Sequence, residues 1–152
     1  MQRRRFLLAL AGTGHFVSAA VRGDKAMYVG GTVPGLQPKT DGKLDFSAES
    51  ETVFTSKKGK LQIPYQKITS LEYGQKAGRR VGVAVAITIF ALFSKKRRHY
   101  LTIGYDDAAG KRQGAVFELA KGTVRTVLTT LEARTGKQVE YESEEAKKNI
   151  GQ

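Results

Sequence analysis

The chain has 152 residues, 40% of them hydrophobic and 26% charged, enough for one domain with its own core and too apolar for a disordered polymer. It contains no cysteine, which excludes disulfides, zinc–cysteine sites, a cysteine nucleophile and an acylated lipoprotein terminus; its two histidines, His15 and His99, are too few for a histidine metal cluster. Lys and Arg number 26 against 14 Asp and Glu, a formal net charge of +12, which directs attention to anionic partners.

The N-terminus predicts an export signal. Gln2-Arg3-Arg4-Arg5 is a basic n-region, Phe6 to Ala11 begins an apolar h-region, and Ser18-Ala19-Ala20 offers the small residues a signal peptidase reads. Residues 1–20 are expected to be removed, with Val21 as the new terminus, which places the working protein in the periplasm or outside the cell. Arg3-Arg4-Arg5-Phe6-Leu7 also resembles a twin-arginine motif, so either export route fits. The alternative is a structured N-terminus, or a true start at Met27. The apolar run is interrupted by Gly12, Gly14 and His15 and falls short of the ~20 residues a membrane span needs.

From Ala26 onward the pattern predicts seven strands. Ala26 to Val33 is the first, closed by Pro34-Gly35, and a loop rich in Pro, Thr and Gly follows to Gly42. Leu44 and Phe46 alternate with polar neighbours, Thr52 to Thr55 is a short β-branched run, and Leu61 and Ile63 alternate into Pro64. Ile68, Leu71 and Tyr73 mark the fifth strand, Tyr100 to Tyr105 the sixth, and Val116, Phe117 and Leu119 the seventh. Asp106 to Gly110 reads as the hairpin turn between the last two, and Gly30-Gly31 as a bulge or close backbone contact. The period then changes: Val124, Val127, Leu128 and Leu131 lie at i, i+3, i+4 and i+7, predicting an amphipathic helix over 123–135 with Thr123 as N-cap and Gly136 at C′. Val139 to Tyr141 reads as a short extended piece and residues 142–152 as a polar, frayed tail.

Residues 76–98 stand out. Val81 to Phe93 is an uncharged run of 13 residues, and Lys76, Arg79 and Arg80 on one side with Lys95, Lys96, Arg97 and Arg98 on the other make seven bases and no acid. As a helix the run is ~20 Å long, short of a ~30 Å hydrocarbon core, so it is not expected to cross a membrane. Two readings remain. The run is buried as a strand or helix packed on the domain, with solvated bases at its ends, or it contacts an anionic membrane or a partner protein. In the second reading Lys76, Arg79, Arg80, Lys95, Lys96, Arg97 and Arg98 meet acidic groups while Ile87, Ile89, Phe90, Leu92 and Phe93 enter the interface.

Seven short strands capped by one C-terminal amphipathic helix resemble the pleckstrin-homology plan, and the local sequence resembles the bacterial pleckstrin-homology-like and GRAM-like group. The resemblance rests on Gly42-Lys43-Leu44, Val53-Phe54-Thr55-Ser56 and above all Ile63-Pro64-Tyr65-Gln66-Lys67-Ile68-Thr69-Ser70-Leu71-Glu72. It implies a mainly β fold, a curved antiparallel barrel of about seven strands with one capping helix over residues 21–141, the 76–98 segment being an insert. It also implies a binding or scaffolding role rather than catalysis. Phosphoinositide-binding members use basic residues of the first hairpin; here that stretch offers Lys39, Asp41 and Lys43, a poor phosphate cradle.

No constellation of nucleophile and base, paired carboxylates or metal ligands emerges, so no enzyme activity, cofactor or metal is expected. The reading is a non-catalytic envelope module whose partner is an anionic lipid surface or an envelope protein. A protein–protein interaction domain with the 81–93 run buried is the alternative, and a basic nucleic-acid-binding protein a further one. Nucleic acid is not expected, because no helix-turn-helix, finger or phosphate loop accompanies the charge.

Overall fold

A computed structural model describes residues 24–75, 98–148 and 150; the predicted signal at 1–20 and all of the 76–98 segment except Arg98 lie outside them. Four strands form a first antiparallel meander: β1 (Asp24–Gly31), β2 (Thr40–Asp45), β3 (Glu51–Ser56) and β4 (Gly59–Pro64). Each turns every second residue inward, placing Tyr28, Leu44, Phe54 and Ile63 on one face. The β3–β4 turn is fixed by Ser56, whose Oγ accepts the N–H groups of Lys58 and Gly59 and donates to the Gly59 carbonyl. A single 3-10 turn, Tyr65–Lys67, leads from β4 into β5.

The second meander is β5 (Ile68–Gly74), β6 (His99–Asp106) and β7 (Arg112–Leu119). The β6–β7 turn is the predicted one. Asp107 Oδ2 accepts the Gln113 amide and Oδ1 the N–H groups of Lys111 and Ala109, which together hold the carboxyl below its ordinary range. The meanders join where β1 pairs with β7, with a bulge between Tyr28 and Gly30. Gly31 lies beside it at φ 153°, where a Cβ would collide with the Gly114 carbonyl oxygen; the predicted close backbone contact at Gly30-Gly31 is therefore present.

Helix α1 (Val124–Thr135) follows a 3-10 turn at Lys121–Thr123 and buries Val124, Val127, Leu128 and Leu131, the four residues of the predicted face. Gly136 ends it in the left-handed conformation at φ 68°, donating its N–H to the Glu132 carbonyl. Thr123 does not cap the helix through its side chain as expected: its hydroxyl donates to the Ala120 carbonyl of the preceding turn. β8 (Val139–Tyr141) then runs parallel to β5, Leu71 opposite Val139. The segment expected to fray instead forms a short helix α2 (Glu144–Lys148), with Ala146 buried.

The described residues thus form a mainly β fold with one mixed sheet in the order β4-β3-β2-β1-β7-β6-β5-β8 and a C-terminal helix. The expected barrel of about seven antiparallel strands differs from this in two ways. An eighth strand occupies the outer side of β5, and β4 and β8 remain edges, so the sheet does not close. All strands and α1 contribute to a single core. At its centre the rings of Tyr28, Phe54 and Phe117 lie 5.2–6.4 Å apart in tilted and edge-to-face geometry. A smaller cluster of Val29, Tyr100 and Val116, with Met27 against it, lies on the opposite face.

Two stability outcomes follow from this core. Leu128→Ala and Leu131→Ala should each cost about 2–5 kcal/mol, read as a fall in the thermal midpoint; unchanged midpoints would show that α1 does not seal the core. Tyr65, in contrast, is buried with a hydroxyl that finds no hydrogen-bond partner. An unmet buried hydroxyl is a liability of about 1–3 kcal/mol, so Tyr65→Phe should leave the midpoint unchanged or raise it.

Candidate functional site

Of the twelve residues singled out in the basic–apolar segment, Lys76, Arg79, Arg80, Ile87, Ile89, Phe90, Leu92, Phe93, Lys95, Lys96 and Arg97 lie outside the described residues. Arg98 lies within them, directly before β6. Its Nη1 donates to both carboxylate oxygens of Glu118 at 2.7 and 2.8 Å, tying the start of β6 to β7. The pair remains part-exposed, so its energetic weight is small and its role is chiefly positional.

The sheet register fixes where this segment joins the fold. Gly74 at the end of β5 faces Tyr100 on β6, and His99 faces Leu119, which faces Ala26 on β1. The chain therefore leaves at Gln75 and returns at Arg98 from one end of the sheet, the end where β1 begins. Lys25, Arg98 and Lys121 all lie at that end.

A groove of about 690 Å³ opens on the outer face of β1, β2 and β3, lined by Lys25, Met27, Lys43, Thr55, Lys57 and Glu118 among others. Strand alternation builds it. The residues between those buried in the core must point outward, and the register sets them in two rows. Thr55, Lys43 and Lys25 lie opposite one another across β3, β2 and β1. The next row is Asp41, Met27, Glu118 and Tyr100 across β2, β1, β7 and β6. Lys25 and Lys43 are like charges on directly paired positions, an arrangement that opposes pairing. Among the described residues, neither their side chains nor that of Lys57 has a hydrogen bond or ion pair, whereas Glu118 is held by Arg98. The sequence showed Lys43 and Asp41 as hairpin residues; it could not show Lys25 opposite Lys43, because that depends on the β1–β2 register.

His99, which a sequence reading leaves as a solvated strand end, is half-buried. Its ring stacks on Tyr73 with centroids 6.1 Å apart, and its Nδ1 lies 2.6 Å from the Tyr73 hydroxyl. Burial pushes Tyr73 up to about 12, so the phenol stays protonated and shares a hydrogen bond with the His99 ring. Burial, then the nearby Lys121, hold His99 below its ordinary value, with Glu118 opposing.

No family model matches the sequence, and none of the curated proteins matches it. No helix of the described residues is long and apolar enough to cross a membrane.

The His99 environment has a consequence for pH. Its folded value lies below the ordinary 6.5, so within that window the unfolded chain binds more protons and the fold loses stability as pH falls. The thermal midpoint should drop between about pH 7.5 and 5, the usual histidine range, above the range where the carboxylates titrate. His99→Gln should flatten that part of the curve; an unchanged slope would assign the loss to other groups.

Proposed function

We propose that this chain is a non-catalytic binding module of the cell envelope, exported and peripheral to an anionic membrane that it contacts through residues 76–98. Its scaffold in this reading is pleckstrin-homology-like or GRAM-like. Support for the scaffold comes from the two antiparallel meanders joined through β1 and β7 and the helix over their shared core. The observation that carries the membrane reading is the placement of the segment's two ends. The β5–β6 register brings Gln75 and Arg98 together at one end of the sheet, so 13 uncharged residues flanked by seven bases depart from a single point. Lys25 and Lys121 add positive charge there.

The test is co-sedimentation with vesicles of phosphatidylglycerol and of phosphatidylcholine. Binding should be confined to the anionic vesicles and weaken as salt screens the charges. Each base near the surface contributes about 1 kcal/mol, so Lys95→Gln, Lys96→Gln and Arg97→Gln together should lower partitioning roughly tenfold or more. Leaving Arg98 intact spares its contact with Glu118. Equal retention on both vesicle types, or by wild type and variant, would end this reading.

One observation favours the alternative in which the 81–93 run is buried and the module binds protein. Tyr100 and Val116 are only 5% and 0% exposed on the face opposite the main core, beside the point where the segment returns. In that case Ile87→Asp and Phe90→Asp should lower the thermal midpoint by several degrees, whereas a membrane-contacting run should leave it unchanged.

A further inference from the structure

We propose that the C-terminal β8–α2 extension is a clamp that fixes the root of the 76–98 segment to the sheet, with Glu142 as its positioning residue. The inference rests on the membrane reading for its consequence and on contacts among the described residues for the clamp itself.

The return side of the segment is tied to the sheet by Arg98 and Glu118. The departure side is tied from the far end of the chain. Glu142 donates its N–H to the Tyr73 carbonyl at 2.9 Å, which carries the β5–β8 ladder one step beyond Tyr141. Its carboxylate then turns back toward the segment: Oε2 accepts the N–H of Gln75 at 3.0 Å. Gly74 makes this approach possible. A Cβ there would lie 2.6 Å from Glu142 Oε2 and 3.0 Å from Glu142 Cβ, so any larger residue pushes the carboxylate away from Gln75. The two sides are also joined directly, because Tyr73 on the departing strand shares a hydrogen bond with His99 on the returning one. Tyr141 packs edge-to-face on Tyr73 at 6.0 Å between ring centroids, and the Lys147 ammonium lies 5.9 Å from the Tyr141 ring centroid. Ala146, 2% exposed, seats α2 in the main core.

An acid beside a contact with an anionic surface opposes that contact, and the 76–98 segment itself holds seven bases and no acid. Glu142 stands at its root all the same, and the Gln75 amide accounts for it: a charge-assisted hydrogen bond holds the departing backbone in one place. A root fixed before contact lowers the ordering cost of binding. Glu142 therefore helps membrane attachment through geometry while its charge works against it, and the two effects have opposite signs.

The experiment compares Glu142→Gln, Glu142→Ala and Gly74→Ala with the wild-type full chain, by amide exchange of the isotopically labelled protein and by co-sedimentation with phosphatidylglycerol vesicles. Glutamine keeps an acceptor for Gln75; alanine at 142 removes it; alanine at 74 displaces it without altering charge. Exchange at Gln75 should accelerate in both alanine variants and not in Glu142→Gln, with the amides of Leu101 and Leu128 unchanged in all three. Both alanine variants should bind vesicles roughly threefold or more weakly than wild type, whereas Glu142→Gln should bind as tightly as wild type or more so. Unchanged exchange at Gln75 in Glu142→Ala overturns the clamp. Equal vesicle affinity of Glu142→Ala and Glu142→Gln, which carry the same charge, overturns the positioning role. Loss of protection at Leu101 and Leu128 as well would make Glu142 a general support of the fold and also overturns it. Failure of the wild type to sediment with the vesicles ends the membrane reading alone; the clamp then stands or falls on exchange at Gln75.

Discussion

The pairing of β1 with β7 is the constraint on which the rest depends. Each meander is local: β1 to β4 and β5 to β7 are joined strand to strand by short turns or, between β5 and β6, by the 76–97 excursion. Neither meander closes a core by itself. The β1–β7 ladder sets Tyr28 opposite Phe117, and Phe54 on β3 completes the ring cluster. Aromatic side chains carry the largest apolar areas available to this sequence, which lacks tryptophan. The ladder is also the most non-local antiparallel pairing, uniting the first strand with the seventh, and its loop-closure entropy is recovered only when that cluster packs. Gly31 belongs to the same constraint, because the β1 bulge brings its backbone against Gly114.

With that ladder in place, the open side of the sheet lies between β4 and β5. The chain crosses it by one 3-10 turn, and α1 packs against that turn with Val124, Val127, Leu128 and Leu131 in the shared core. β8 then adds in parallel to β5, which leaves β4 without a partner on its outer side. The β4 edge carries Lys60 and ends in Pro64, and both oppose pairing with another chain. An eighth strand and a defended edge thus do the work that closure would do in a barrel.

Most of the fold was legible in the sequence because its elements announce themselves by period. Alternation marked the strands, the i, i+3, i+4, i+7 face marked α1, and Gly136 marked its end. What stayed hidden depends on long-range register. The parallel addition of β8 to β5 follows from where α1 delivers the chain, not from any property of Val139 to Tyr141. The burial of Ala146 follows in turn, since α2 continues from β8. Thr123 had the right chemistry for a cap, but the preceding turn offered its hydroxyl the Ala120 carbonyl first. At the candidate site the segment with the strongest sequence signal contributes only Arg98 to the described residues. The groove had no linear signature, because Lys25, Lys43 and Thr55 become neighbours only across three strands.

The distribution of arginine and lysine decides what kind of contact the outer face can make. The ion pairs among the described residues both use arginine and both sit on the β6–β7 hairpin: Arg98 with Glu118 at its open end and Arg112 with Asp106 at its turn. The first of them consumes an acid, Glu118, that lines the groove. The uncompensated charge of the groove is carried by lysine alone, at positions 25, 43 and 57. Lysine presents a strongly hydrated point charge on a mobile stem and makes no bidentate fork. A surface built this way does not read the detailed geometry of an anion. Exposed charges of this kind are screened by salt.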